Sequence, residues 1–216
     1  MTEGTTDLPL AISGRVMVES PGRFRLSGGL GVMPRTYAAL LDQVITAAGG
    51  YDGRFGPVFV DTLTSSLVAR AELGWRPWPD LGWYADAGYS VVTLGSASAA
   101  ESFIGGLTAL PAELVTSVEA RHYRVGATVH LAVVEVGYEW LALDALTLRW
   151  ALGFAGTMAA KVSIHPEGRE YPTNDPVAAF AHGAQDRLHD VLTHYGFMPT
   201  VGFSVGYRFD GPATTE

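Results

Sequence analysis

The sequence predicts an all-β protein, a small antiparallel transmembrane β-barrel with amphipathic helices in its long loops. Three observations predict it. Six segments alternate apolar residues with small or charged ones at period two. The links between those segments alternate short and long. And no run of about 18 residues is apolar enough for a spanning helix, although the chain of 216 residues is 48% hydrophobic and only 17% charged. The nearest candidate, Trp140 to Ala160, is interrupted by Asp144 and Arg149.

Period two is the signature of a strand whose two faces differ. In the first segment Phe24, Leu26, Leu30 and Val32 alternate with Arg23, Arg25, Ser27 and Gly29. In the second, Leu67, Ala69, Ala71, Leu73 and Trp75 alternate with Val68, Arg70, Glu72, Gly74 and Arg76. Trp83, Ala85, Ala87, Tyr89 and Val91 then alternate with Tyr84, Asp86, Gly88 and Ser90. Val134, Val136, Tyr138 and Trp140 alternate with Glu135, Gly137 and Glu139. The fifth segment sets the even positions from Leu146 to Ile164 against Thr147, Arg149, Ala151, Gly153 and onward to Lys161 and Ser163. The sixth sets Val201, Phe203, Val205, Tyr207 and Phe209 against Thr200, Gly202, Ser204, Gly206 and Arg208.

The second face decides between two architectures. A soluble sandwich or lipocalin-like barrel buries its apolar face and shows water a face rich in Lys, Glu and Thr. A membrane barrel turns the apolar face to lipid and fills a narrow interior with the other. Here the second face is Gly, Ala, Ser and Thr with charges of both signs. That suits a crowded interior. Arg70, Glu72, Asp86, Glu135, Glu139, Arg149 and Arg208 are therefore expected to form a lumen-facing charged network whose members neutralise one another.

Connections and aromatics support the same reading. Trp78 to Gly82 and Ala142 to Ala145 are tight turns, whereas Pro34–Asp61, Gly95–Val118 and His165–Met198 are long. Short turns on one side and long loops on the other are the asymmetry of an outer-membrane barrel, with both termini on the short-turn side. Trp75, Trp78, Trp83, Tyr138, Trp140, Trp150, Tyr207 and Phe209 all fall at that end, as an interfacial aromatic belt requires. Within the last loop Asp175-Pro176 is an N-cap followed by an N1 proline, and Gly196 suits the C′ position. Val177, Phe180, Ala181, Ala184, Leu188, Val191, Leu192 and Tyr195 make an apolar stripe between them. A second helical pattern covers Arg35 to Ala48, with Tyr37, Leu40, Leu41, Val44 and Ile45.

Single-chain barrels of this class start at eight strands. Two more strands are expected from Arg15–Glu19 and from the region Leu114–Val125, closing an eight-stranded barrel. The alternative is a larger barrel shared by a homo-oligomer. Residues 1–11 and 210–216 read as polar segments outside a single barrel domain of residues 12–209.

Composition narrows the function classes. The net charge of −8 argues against nucleic acid, which demands a basic stripe. Zero cysteines exclude a disulfide framework and cysteine-ligated metal centres. The start, Met1-Thr2-Glu3-Gly4, lacks the basic and apolar regions of a signal peptide, so a mature outer-membrane chain is expected.

The phrases Glu72 to Asp80 and Glu135 to Trp140, with Gly29 to Pro34, resemble uncharacterised outer-membrane β-barrel proteins of myxobacterial envelopes. The ending Thr200 to Tyr207 is similar to the C-terminal signal read by the barrel-assembly machinery. The resemblance implies an outer-membrane location, membrane lipids as surroundings and that machinery as a partner during biogenesis. It implies no reaction.

Candidate chemistry is sparse. His122 and His130 share the apolar face of one strand, where a lipid-modifying hydrolase would hold a histidine, but position 132 is Ala. His182 and His189, with Asp186 between them, have helical metal-ligand spacing and also fit a solvated helix face. Gly28-Gly29 and Gly105-Gly106 lack the strand–GxGxxG–helix context of a nucleotide site. The expectation is a scaffold or narrow pore without catalytic activity, cofactor or metal. The alternatives are a soluble barrel that binds a small apolar ligand and a lipid-modifying enzyme.

Overall fold

Alternation at period two becomes one continuous antiparallel sheet. The computed structural model describes residues 2–8, 11–20, 22–36, 38–39, 42–43, 60–61, 63–64, 66–78, 81–100, 122–143, 145–168, 172, 175–194 and 197–208. The strands are β1 (Thr2–Leu8), β2 (Ala11–Glu19), β3 (Phe24–Val32), β4 (Leu67–Trp75), β5 (Trp83–Ala100), β6 (His122–Leu143), β7 (Leu146–Pro166) and β8 (Phe197–Tyr207). A helix, α1 (Pro176–His194), lies between β7 and β8. Each strand pairs with its neighbour in sequence, and β1 pairs with β8, so the sheet closes into a barrel.

Thr2–Leu8, expected to be a polar segment outside the barrel, is the strand that closes it. Its register runs from Thr2 opposite Tyr207 to Leu8 opposite Val201, and from Thr2 opposite Val16 to Asp7 opposite Ala11. The segment has no apolar alternation, and the two backbone ladders hold it instead. Arg15–Glu19 falls within β2. Of the region Leu114–Val125, residues 122–125 begin β6 and the remainder lies outside the described residues. With both additional strands at the start of the chain, the simple up-and-down order is kept.

Turns β2–β3, β4–β5 and β6–β7 lie at the end of the barrel that also holds Thr2 and Tyr207. The strand lengths differ sharply. β2, β3 and β4 have 9 residues each, whereas β5, β6 and β7 have 18, 22 and 21. About 9–11 tilted residues cross a bilayer, so β5–β7 rise well above the rest of the wall on the long-loop side.

Along β6 the odd positions point inward from Tyr123 to Glu139. On β7 the inward set changes parity. Thr147, Arg149, Ala151 and Ala155 are buried below, and Ala160, Val162 and Ile164 are buried above. The cause is a β-bulge: His130 pairs with Ala159 and Leu131 with Thr157, leaving Met158 extra. Unbroken alternation over Leu146–Ile164 therefore placed Lys161 and Ser163 on the inner face, and the structure places them outside.

The inward residues above the bulge form an apolar core with α1. Tyr123, Ala127, Val162 and Ile164 meet Val177, Phe180, Ala181 and Ala184, and the Tyr123 and Phe180 rings stand 5.3 Å apart. Asp175 caps the helix, its Oδ1 accepting from the Val177 N–H at 2.9 Å. Thr193 Oγ1 donates to the His189 carbonyl at 2.9 Å near the other end. Of the Arg35–Ala48 pattern, residues 35–36, 38–39 and 42–43 are helical, and the others lie outside the described residues.

Glycines on the inner face make room for bulky neighbours. A Cβ on Gly137 would collide with the Trp150 carbonyl oxygen and the Tyr84 ring. One on Gly74 would meet Asp86 and the Arg25 stem at 2.6 Å. Gly28 faces outward, with the Arg70 carbonyl 3.9 Å from a Cβ placed there. Gly137→Val is thus expected to lower unfolding free energy by about 1–3 kcal/mol or more. Gly28→Val is expected to change it by less than about 0.5 kcal/mol. Urea unfolding followed by tryptophan fluorescence checks both, and equal effects would contradict the packing described.

Candidate functional site

Below the bulge the barrel is filled by charge. Arg25 extends from β3, Tyr84 and Asp86 from β5, Glu139 from β6 and Arg149 from β7, all buried. Arg25 Nε lies 3.1 Å from Asp86 and its Nη1 3.3 Å from Glu139. Arg149 reaches the same two carboxylates, at 3.2 Å and 3.6 Å. Both guanidiniums lie over the Tyr84 ring, Arg25 at 3.9 Å and Arg149 at 4.2 Å from its centroid. Its negative π system offsets some of the repulsion between the cations.

Around this centre lie two outer groups. Arg15 and Arg70 hold Glu72 at 3.3 Å and 2.6 Å, Arg70 also pairs with Glu135, and Ser27 donates to Glu72 at 3.2 Å. Nearer the turns, Arg76 lies 3.5 Å from Glu139 and 3.4 Å from Glu19, and Arg208 lies 3.7 Å from Glu139. Six arginines thus face five carboxylates among the described residues, Arg15 and Arg70 with Glu72 and Glu135 in one ion-paired group and the others around Asp86 and Glu139. Each buried charge has an opposite charge in contact, the condition for tolerating charge in such an interior.

The expected set Arg70, Glu72, Asp86, Glu135, Glu139, Arg149 and Arg208 lies in this network, with Arg208 at its open edge. Arg15, Arg25, Arg76 and Glu19 join it. Alternation already sets Arg25 and Arg76 on the inner face, and Arg15 and Glu19 share a face of β2. Arg23, grouped by alternation with the inner face, sits instead in the β2–β3 turn. There it adopts φ 69° and donates to the Pro77 carbonyl at 2.9 Å.

Glu72, Asp86 and Glu135 bring carboxylate oxygens within 4.8 Å of one another. Arginines already occupy them, so the chemistry of the cluster is ion pairing. The cavities beside the network are small. One, lined by Arg15, Tyr84, Glu135 and Arg149, has about 10 Å³, and so does another beside Ser13, Arg15 and Arg70. Each has room for about one water.

The outer face is the opposite. Val16, Leu26, Leu30, Leu73, Val134, Val136, Leu152, Phe154, Phe203 and Val205 are about half exposed or more. A groove of about 650 Å³ on this face is walled by Leu73, Trp75, Val136 and Phe154. At the turn end Phe24 pairs with Trp75, Trp83 with Tyr138, and Tyr138 with Trp150. Trp83 and Tyr138 meet edge-on at 5.3 Å, and Tyr138 and Trp140 lie 4.9 Å apart. Trp75, Trp78, Trp140 and Tyr207 are exposed there too, while Phe209 lies outside the described residues.

His122 and His130 both lie on the outer side of β6. His130 Nδ1 is hydrogen-bonded to the Tyr89 hydroxyl, and its direct cross-strand neighbours are Val91 and Ala159. Among the described residues, register brings it neither a serine nor a carboxylate. His182, Asp186 and His189 are exposed on α1, away from its packed face.

No protein-family model matches the sequence, and no curated protein matches it. Two solved structures share its outline. The crystal structure of CarO from Acinetobacter baumannii is 12% identical, with a TM-score of 0.41, over 96% of each chain. That of Acinetobacter baumannii CarO2 is 9% identical, with a TM-score of 0.40, over 96% of this chain and 97% of the other.

The network makes a sharp energetic distinction. Asp86→Asn leaves Arg25 and Arg149 short of a carboxylate in a closed interior, and is expected to cost about 3–5 kcal/mol. The exposed pair Arg35–Asp61, at 3.3 Å, should cost less than about 1 kcal/mol when Asp61 becomes Asn. Adding Arg149→Met to Asp86→Asn should restore part of the loss. A double-mutant cycle on unfolding free energies checks this, and strict additivity would mean that the two groups are uncoupled.

Proposed function

We propose that this chain is a bacterial outer-membrane β-barrel protein that serves as a structural scaffold, without catalytic activity. The observation that carries the reading is the inversion of its faces. Exposed aliphatic and aromatic residues cover the outside of the strands, while the arginines and carboxylates of the network are buried inside. In water that arrangement leaves a large apolar surface uncovered. In lipid it is the arrangement a spanning barrel needs, because a closed sheet satisfies every backbone group internally. On β7 the outward apolar set from Leu148 to Met158 covers about 25 Å of height at the usual strand tilt. The sequence likeness to myxobacterial outer-membrane barrels supports the same location, and membrane lipids are then the principal surroundings.

Scaffold is favoured over narrow pore by the interior. The network occupies the section below the bulge, and α1 packs inside the wall above it. A soluble barrel that binds an apolar ligand would need an apolar cavity inside, whereas the two cavities beside the network among the described residues hold about one water each. The scaffold presents its long-loop end, with α1 and the tall strands β5–β7, to one side of the membrane.

Leu152→Arg distinguishes lipid from water directly. In lipid vesicles an arginine on the lipid face should cost about 2–4 kcal/mol near mid-depth. At an ordinary water-exposed position the same change stays within about 0.5 kcal/mol. Urea titration of protein refolded into phosphatidylcholine vesicles measures it, and a negligible cost would defeat the membrane reading. In planar bilayers the wild-type protein should give no steady single-channel steps. Reproducible steps would replace the scaffold with the pore.

A further inference from the structure

We infer that the outer face of β6 and β7, just above the apolar belt, binds the phosphorylated headgroup of a membrane lipid. The inference rests on the reading of that belt as lipid-facing. Its residues follow from register. Beyond the β7 bulge, Thr128 stands opposite Lys161, Gly126 opposite Ser163, and Arg124 opposite His165. Lys161, Arg124 and His165 are exposed. Direct cross-strand neighbours have Cβ atoms about 5 Å apart, and four residues along a strand span about 13 Å. The patch is therefore as large as a headgroup, with a cation at each end on a flexible stem. Its middle is open. Gly126 carries no side chain, and the Ser163 hydroxyl donates to the Gly126 carbonyl at 3.3 Å.

Charge is the second observation. The chain carries a net charge of −8, and Lys161 is its only lysine. Arg15, Arg25, Arg70, Arg76 and Arg149, below the bulge, lie against carboxylates inside the barrel, whereas the cations of this patch point outward. Arg124 has Glu167 at 3.8 Å, too long for a good hydrogen bond, and its side chain remains 67% exposed.

Depth is the third. Met158, exposed and apolar, precedes Lys161 by three residues, and Tyr89 and His130 stack at 5.9 Å on the same outer face. Amphipathic rings of this kind sit at headgroup level, and lysine stems lie along apolar surface with the ammonium at its edge. Phosphate oxygens lie at that depth in a bilayer, and cations on the protein attract them. Inorganic phosphate shares the chemistry but has no reason to favour the edge of a lipid-facing belt.

The test uses the full chain refolded into phosphatidylcholine vesicles, alone or with a glycolipid bearing two phosphates, one for each cation. Further arms use the same glycolipid without phosphates, and inorganic phosphate added to plain vesicles. The variants are the double Lys161→Gln/Arg124→Gln and the conservative Lys161→Arg. Wild type should be stabilised against urea by the phosphorylated glycolipid only. The double variant should bind it about tenfold or more weakly, as expected for losing two surface cations, while Lys161→Arg keeps the effect. Equal folding of all variants in plain vesicles separates lost binding from lost structure, and unequal folding there would overturn the assignment of these side chains to the surface. Equal stabilisation of wild type and double variant overturns the site, and so does equal stabilisation by inorganic phosphate or by the phosphate-free glycolipid. Failure to insert into any vesicle overturns the membrane reading and the site with it. Insertion without phosphate dependence overturns the site alone.

Discussion

The centre of the lower barrel answers to one constraint: Asp86 and Glu139 must both serve Arg25 and Arg149 at once, and Glu139 meets Arg76 and Arg208 as well. Arg25 and Arg149 both reach these carboxylates, and both lie over the Tyr84 ring. Removing charges of this density from bulk water is costly, and the loss is offset only when each finds a close opposite charge. The backbone has to yield space for so many long side chains. That is why glycine stands at 74 and 137, where any Cβ would strike Arg25, Asp86, Tyr84 or the Trp150 carbonyl. Among the described residues, two cavities of about 10 Å³ each lie beside the network. Interior charge is thus a packing material in this protein.

Much of this was legible in the sequence because parity is a robust signal. A strand cannot slip by one residue without exchanging its two faces, so Leu146–Phe154 or Trp83–Tyr89 reveals which side each residue takes. The grouping of Glu72, Asp86, Glu135 and Arg149 follows from parity, and the antiparallel order of the sheet from the short turns between strands. Three things did not. The strand β1 has no apolar alternation, being held by ladders that only the closed sheet supplies. Arg23 shares the parity of Arg25 but belongs to a turn, where a local hydrogen bond to Pro77 fixes it. And the bulge at Met158 is invisible where apolar or small residues stand at nearly every position from Ala155 to Ala160. Which arginine meets which carboxylate depends on cross-strand register, a long-range property that local spacing does not contain.

The interior is sorted along the barrel axis, and the sorting explains the uneven wall. At the turn end it is ionic. Next comes an aliphatic cluster that straddles the bulge, Val129 above it and Leu131, Val133 and Ala155 below, and higher still Tyr123, Val162 and Ile164 meet α1. A nine-residue strand is long enough for the ionic layer and the belt around it. Only β5–β7, twice that length, provide the inner wall that α1 needs. Their extra height and the helix therefore belong together, since neither apolar surface would be covered without the other.

The bulge is what allows one strand to do both. Below Met158, β7 turns its odd residues inward and gives Arg149 to the ionic layer. Above it, the inward set is Ala160, Val162 and Ile164, the surface on which α1 lies. Without the extra residue, Lys161 would point into that apolar core, at the cost of an unpaired buried ammonium, and Val162 would point out. A single insertion removes the conflict. It also fixes the outer rim, because the parity change that sends Val162 to the helix sends Lys161 and His165 to the outer surface beside Thr128 and Arg124. The apolar support of the cap and the cationic patch above the belt are two consequences of the same local irregularity.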